Sequence, residues 1–164
     1  MTYLYKKQKV FSLTEQFRYL DINERLIYQA RGSFFSLPKK YQLLDINNTP
    51  LITVSRRMFT FMPKYDITSI KNNQHIGSIN KRFTFGRPRF DLIDSQGNNY
   101  IVQGSLFAHN FQIFNPHNQL VIEVRKKIIT WGDTYEIMVD ESQINIIIAM
   151  GIVLAIDCAI FSNN

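Results

Sequence analysis

The sequence lacks most of what an enzyme or a secreted protein carries. One cysteine, Cys158, stands among 164 residues, which excludes an internal disulfide and any site built on several thiolates. A lone thiol inside an apolar run is expected to be a small core residue, and it suits a reducing compartment. The seven glycines are scattered. None falls in a phosphate-cradling pattern, and Gly86-Arg87-Pro88-Arg89 reads as a turn. No Gly-x-Ser-x-Gly elbow occurs. His75, His109 and His117 fall in or beside turns, without the spacing of metal ligands. From Met1 to Lys7 the chain carries charge where a secretory signal needs an apolar stretch. No apolar run with a small-residue cleavage site follows. The expectation from these absences is a cytoplasmic, non-catalytic protein with no metal and no cofactor.

What the chain does have is β-forming material. Apolar residues make up 45%, charged residues 20% and aromatics 13%, a globular balance rich in side chains that suit pleated surfaces. Six segments share one shape: an aromatic-led strand, a polar turn and a second apolar strand. They begin at Phe17, Tyr41, Tyr65, Phe90, Phe111 and Tyr135, 21 to 25 residues apart. Apolar residues alternate within them, as at Tyr65 and Ile67, the period of a strand. The turns, such as Asp21-Ile22-Asn23-Glu24, Asp45-Ile46-Asn47-Asn48 and Asp94-Ser95-Gln96-Gly97, use residues that bond their own backbone or tolerate positive φ. Six leading and five returning strands, with one more expected near Lys9 to Leu13, make twelve. A closed sheet removes its edges, but twelve strands enclose more space than strand side chains fill.

The C-terminal run supplies a filling. From Ile144 to Phe161 apolar residues cover every direction of a helical wheel, so the helix belongs in a core or in a bilayer. At about 1.5 Å per residue, eighteen residues span roughly 27 Å, about the height of such a barrel. As a membrane span it is short, and Asn145 and Asp157 interrupt it, so the buried helix is preferred. Asp140 and Gln143 are read as a capping box with Glu141 in the first turn. The expected organisation is one mainly β domain over residues 1–164. Its strands run from about 9 to 139, as a twelve-stranded antiparallel hairpin barrel. A buried hydrophobic helix, from about 142 to 161, fills it.

Lys7-Gln8-Lys9-Val10-Phe11-Ser12, the six hairpins, Asp133-Thr134-Tyr135-Glu136-Ile137 and the ending Ala155-Ile156-Asp157 together resemble the LURP-one-related family over essentially the whole chain. The resemblance implies a tubby C-terminal-like fold, twelve strands around a hydrophobic C-terminal helix, in agreement with the strand count. Its plant members are associated with defence. Tubby domains bind phosphoinositides, and phospholipid scramblases are thought to share the fold. No tubby lipid-contact motif matches this sequence residue by residue, so no binding residue is carried over.

The candidate site comes from charge. The formal charge is +6, which attracts anionic partners. Arg31, Arg56-Arg57, Lys81-Arg82 and Arg125-Lys126-Lys127 follow the returning strands, 14 to 16 residues after each leading aromatic. Lys39, Lys40, Arg87 and Arg89 lie in the same inter-hairpin segments, while Asp21, Asp45, Asp94 and Asp140 occupy the opposite turns. Regular hairpins therefore place a basic rim at one end and an acidic or amide-rich rim at the other. The expected partner is anionic membrane phospholipid, bound peripherally. The alternative is a structural or protein-interaction module in which the basic rim is incidental; nucleic acid is less favoured. Asp157 is read as structural, emerging at the rim to pair with a basic side chain and anchor the helix. Trp131, just before the sixth unit, is read as a packing residue.

Overall fold

Four of the five short hairpin turns are built on one hydrogen-bond pattern. The side-chain oxygen of the first turn residue accepts from the backbone N–H groups two and four positions on. Asp21 accepts from Asn23 and Arg25 at 2.8 and 2.9 Å, and Asp45 from Asn47 and Thr49 at 2.8 Å each. Asp94 and Asn115 repeat it. The fourth residue takes positive φ: Glu24, Asn48, Gly97 and Asn118. A residue there leaves the ladder, and the register shifts beside the Glu24, Asn48 and Asn118 turns. In the remaining turn Ile70 stands where Asp stands elsewhere, and Asn73 supplies the positive φ. The acidic groups of this end are thus largely spent on their own turns. Burial pushes the Asp94 carboxyl up, but bonds from Asn98, Gln96 and Gly97 outweigh it and hold it below the ordinary carboxylate range.

The structure, a computed structural model, describes residues 1–8, 16–33, 38–82, 89–106, 109–127 and 134–161. Its strands are β1 (Thr2–Gln8), β2 (Gln16–Leu20), β3 (Leu26–Ser33), β4 (Lys40–Leu44), β5 (Pro50–Arg56) and β6 (Lys64–Ser69). They continue as β7 (His75–Arg82), β8 (Arg89–Asp94), β9 (Asn99–Ser105), β10 (Asn110–Phe114), β11 (Leu120–Lys127) and β12 (Thr134–Val139). Each pairs antiparallel with its sequence neighbours, and β1 closes on β12 with Leu4 opposite Ile137 and Lys6 opposite Tyr135. The expected closed twelve-stranded barrel is what forms. The twelfth strand, however, is Thr2–Gln8 rather than Lys9 to Leu13; residues 9–13 lie outside the described residues. Strand β1 was hidden in the sequence because an inward position holds a lysine. Trp131 and Gly86 to Pro88 also lie outside the described residues.

Helix α1 (Ile146–Phe161) fills the barrel. Ala149, Met150 and Val153 to Ile156 are buried, and so is Cys158. The helix lies nearest β4 to β7. Gly151 permits this approach: a Cβ there would lie 3.2 Å from the Cγ2 atoms of both Ile52 and Ile67. Among the described residues no helix is long and apolar enough to cross a membrane. The start of α1 differs from the capping box read from Asp140 and Gln143. Asp140 accepts from the backbone N–H and hydroxyl of Ser142, and its carbonyl accepts from Gln143 and Ile144, which closes a separate turn. Asn145 is the true cap, its Oδ1 accepting from the N–H of Ile147 at 2.9 Å. Glu141 accordingly sits before the helix, where it accepts from the Thr2 hydroxyl.

Candidate functional site

The chain enters α1 at the hairpin-turn end and leaves it at the opposite mouth, where the inter-hairpin segments lie. Strand parity then sorts the predicted basic residues. Arg56 continues the inward row of Ile52 and Val54, Lys81 that of Gly77 and Ile79, and Lys126 that of Ile122 and Val124, since alternate residues share a face. Arg57, Arg82, Arg125 and Lys127 are instead engaged by carboxylates. Arg57 forms two parallel 2.9 Å bonds with Asp66, and Arg82 pairs with Asp91. Arg125 lies 2.8 Å from Glu123, and Lys127 lies 3.1 Å from Glu136. Arg31 leaves the rim altogether. Its guanidinium donates to Asn48 at 2.6 Å, in the turn at the other end.

The uniform basic ring expected from the sequence is therefore an arc. Lys39, Arg56, Lys64, Lys81 and Arg89 have no carboxylate partner among the described residues. They sit on the mouth ends of the consecutive strands β4 to β8. Backbone bonds hold these ends together: Arg56 N–H to the Lys39 carbonyl at 3.0 Å, Arg57 N–H to Lys64 at 2.8 Å and Lys81 N–H to Pro63 at 3.0 Å. Lys39, Arg56 and Lys81 are half-buried, so their charges are held at the mouth by the wall. The turn between β5 and β6 rises from the middle of this arc.

Asp157 does pair with a basic side chain, but inside the barrel rather than at the rim. Its Oδ2 lies 2.7 Å from Lys6 Nζ, with both side chains almost completely buried. His109 Nδ1 is 3.7 Å from the other carboxylate oxygen. The Lys6 ammonium sits 4.3 Å from the Phe17 ring centre and 5.2 Å from that of Tyr135, a favourable placement for a cation. Beside them burial, with the Asp157 carboxylate and Cys158 adding to it, raises the Tyr19 phenol well above its ordinary value. Its hydroxyl finds no hydrogen-bond partner among the described residues. Sequence reasoning missed Lys6 and His109; the alternation of Leu4 with Lys6 was the available signal.

Two open cavities flank the start of α1. One, of about 600 Å³, has a mixed polar and apolar lining that includes His75, Asp94, Asn98, His117, Ile144 and Ile148. The other, of about 610 Å³, is largely apolar, with Leu51, Ile70, Ile147 and Ile148 on its walls. Among the described residues no group of three or more His, Cys, Asp or Glu side chains is placed to hold a metal ion.

A closed antiparallel barrel of twelve strands threaded by its own apolar C-terminal helix defines a tubby C-terminal-like domain. The chain belongs to the LURP-one-related family, whose model matches residues 2–157. Its fold is similar to that of a protein from Arabidopsis thaliana known from an X-ray structure, with a TM-score of 0.63 over 95% of this chain and 91% of that one. The two are 15% identical, so the likeness is one of fold. No curated protein matches the chain.

Proposed function

We propose that the protein is a non-catalytic barrel that binds anionic phospholipid headgroups at the mouth where α1 ends. The observation that carries this reading is the arc Lys39, Arg56, Lys64, Lys81 and Arg89, five cations on adjoining strand ends without carboxylate partners among the described residues. Elsewhere on the same rim nature of the surface differs, because Glu123 and Glu136 neutralise Arg125 and Lys127. A solvated rim kept only for solubility gives no reason for the cations of one arc to stand apart. Arg57 and Arg82 flank the arc from the outer face and hold it in register through Asp66 and Asp91. Attachment is peripheral, since no membrane span is required of α1.

Each Lys or Arg near an anionic surface contributes about 1 kcal/mol, so reversing two of them changes the interaction by roughly 4 kcal/mol. Arg56→Glu/Lys81→Glu is therefore expected to weaken binding to phosphatidylserine-containing vesicles by about 10²- to 10³-fold, and the wild-type affinity to fall with added salt. Lys71→Glu, in the turn between β6 and β7 at the other end, is expected to change little. Vesicle sedimentation measures all three. Equal losses in the two variants, or wild-type binding indifferent to lipid charge, would remove this surface as the docking site.

A further inference from the structure

The turn from Arg57 to Pro63 departs from the rest of the surface. Phe59 and Phe61 are fully exposed, at 101% and 99%, and Met58 is 44% exposed. No other large hydrophobic residue among the described ones is so open: the next is Ile22, at 75%. Scattered exposed apolar residues are ordinary, but two fully exposed phenylalanines two residues apart at one loop tip are not. The base of this loop is fixed. Arg57 N–H bonds the Lys64 carbonyl at 2.8 Å, the Thr60 hydroxyl donates to the Arg57 carbonyl at 3.3 Å, and the guanidinium of Arg57 grips Asp66 through two bonds. Phe59 has a φ of 58°, a conformation disfavoured for an aromatic side chain. The loop is held outward instead of folding its rings back onto the barrel.

We infer that this loop is a membrane-insertion element: Phe59 and Phe61 enter the headgroup–acyl boundary of an anionic bilayer while Arg56, Lys64, Lys39 and Lys81 contact the phosphates around it. This rests on the proposed docking of the barrel mouth on anionic lipid and names the part of that surface that penetrates. The occupant follows from the layering of the chemistry. An apolar tip ringed at its base by cations matches a bilayer interface, apolar below and anionic above. A protein groove of similar depth would have to present a dry floor and an acidic rim in the same arrangement. Met58 extends the apolar tip, and Thr60 supplies the only polar side chain between the two rings. The two contributions are separable, because burial of the rings does not depend on salt and the charge contacts do.

The test uses the full chain and vesicles of phosphatidylcholine with or without phosphatidylserine. Phe59→Ser/Phe61→Ser is expected to lower partitioning onto the anionic vesicles by at least about 100-fold while leaving the dependence on salt in place. Phe59→Trp in a Trp131→Phe background is expected to shift its emission to the blue on anionic vesicles and to be quenched by lipids brominated near the headgroup. An unshifted emission from vesicle-bound protein overturns the insertion and leaves headgroup docking standing. Absence of binding to any anionic vesicle overturns both. If Phe59→Ser/Phe61→Ser instead converts a self-associated species to a monomer in sedimentation velocity, with vesicle binding unchanged, the loop is a contact between copies and the insertion is overturned.

Discussion

Asp157→Leu is expected to destabilise the barrel by about 3–5 kcal/mol, the cost of removing one member of a buried ion pair. Lys6 and Asp157 meet at 2.7 Å with side chains 2% and 3% exposed, so the remaining ammonium would stay in the interior without its carboxylate. For a chain of this length a loss of that size lowers the melting temperature by roughly 6–20 °C. The cation–π placement over Phe17 and Tyr135 offsets only a small part of the loss. The companion variant Lys6→Met/Asp157→Leu is expected to recover most of it, because a buried pair exchanged for apolar side chains of similar volume is often neutral or better. That recovery would mean that the pair fixes where the helix sits more than it adds net stability. A single substitution within about 1 kcal/mol of the wild type in urea unfolding would show that the helix is held by packing alone.

The second large effect concerns the helix as core. Leu154 is completely buried, and Leu154→Ala is expected to cost about 2–5 kcal/mol through lost burial and a residual cavity. Unfolding should remain a single transition, because strands and helix share one apolar interior. If α1 were a tail independent of the barrel, the same substitution would leave the urea midpoint where it is. Chemical unfolding followed by far-ultraviolet circular dichroism distinguishes the two outcomes.

Most of the architecture was legible because its signals are local. Asp21, Asp45 and Asp94 mark turns by bonding their own backbone, and the aromatic that opens each unit marks the inward face. The N-terminal strand escaped because alternation failed as a hydrophobicity signal: Leu4 and Lys6 share the interior, and a buried lysine reads as solvent-exposed charge until its partner is known. That partner, Asp157, lies 151 residues away in sequence. The helix began later than expected for a different reason. Asp140 has the chemistry of a cap, but it closes a turn with Ser142 and Ile144, and Asn145 takes over the N-cap.

The candidate site was half legible. Charge phase placed cations at one mouth, yet it counted Arg57, Arg82, Arg125 and Lys127 with Arg56 and Lys81. Asp66, Asp91, Glu123 and Glu136 lie on the outer faces of the same or neighbouring strands, and all four engaged cations share that face, whereas Arg56 and Lys81 belong to the inward rows. Arg31 illustrates the limit of counting positions. Its long side chain lies along the wall toward Asn48, so its Cα marks the mouth and its charge does not. Phe59 and Phe61 were invisible as a site because an apolar pair near a strand end reads as ordinary core until exposure is known.

Hydrogen–deuterium exchange of the full chain, free and bound to phosphatidylserine vesicles, bears on the helix and the mouth together. In free protein the amides of Met150 to Ile156 are expected among the slowest, as befits a helix inside a closed barrel. On vesicles the segment from Arg57 to Lys64 is expected to gain protection, while the turns at Asp45 and Asp94 stay as they were and the helix remains slow. Fast-exchanging helix amides, or protection that arises at the hairpin turns instead of the β5–β6 loop, would contradict a barrel with its helix as core and its basic mouth turned to the membrane.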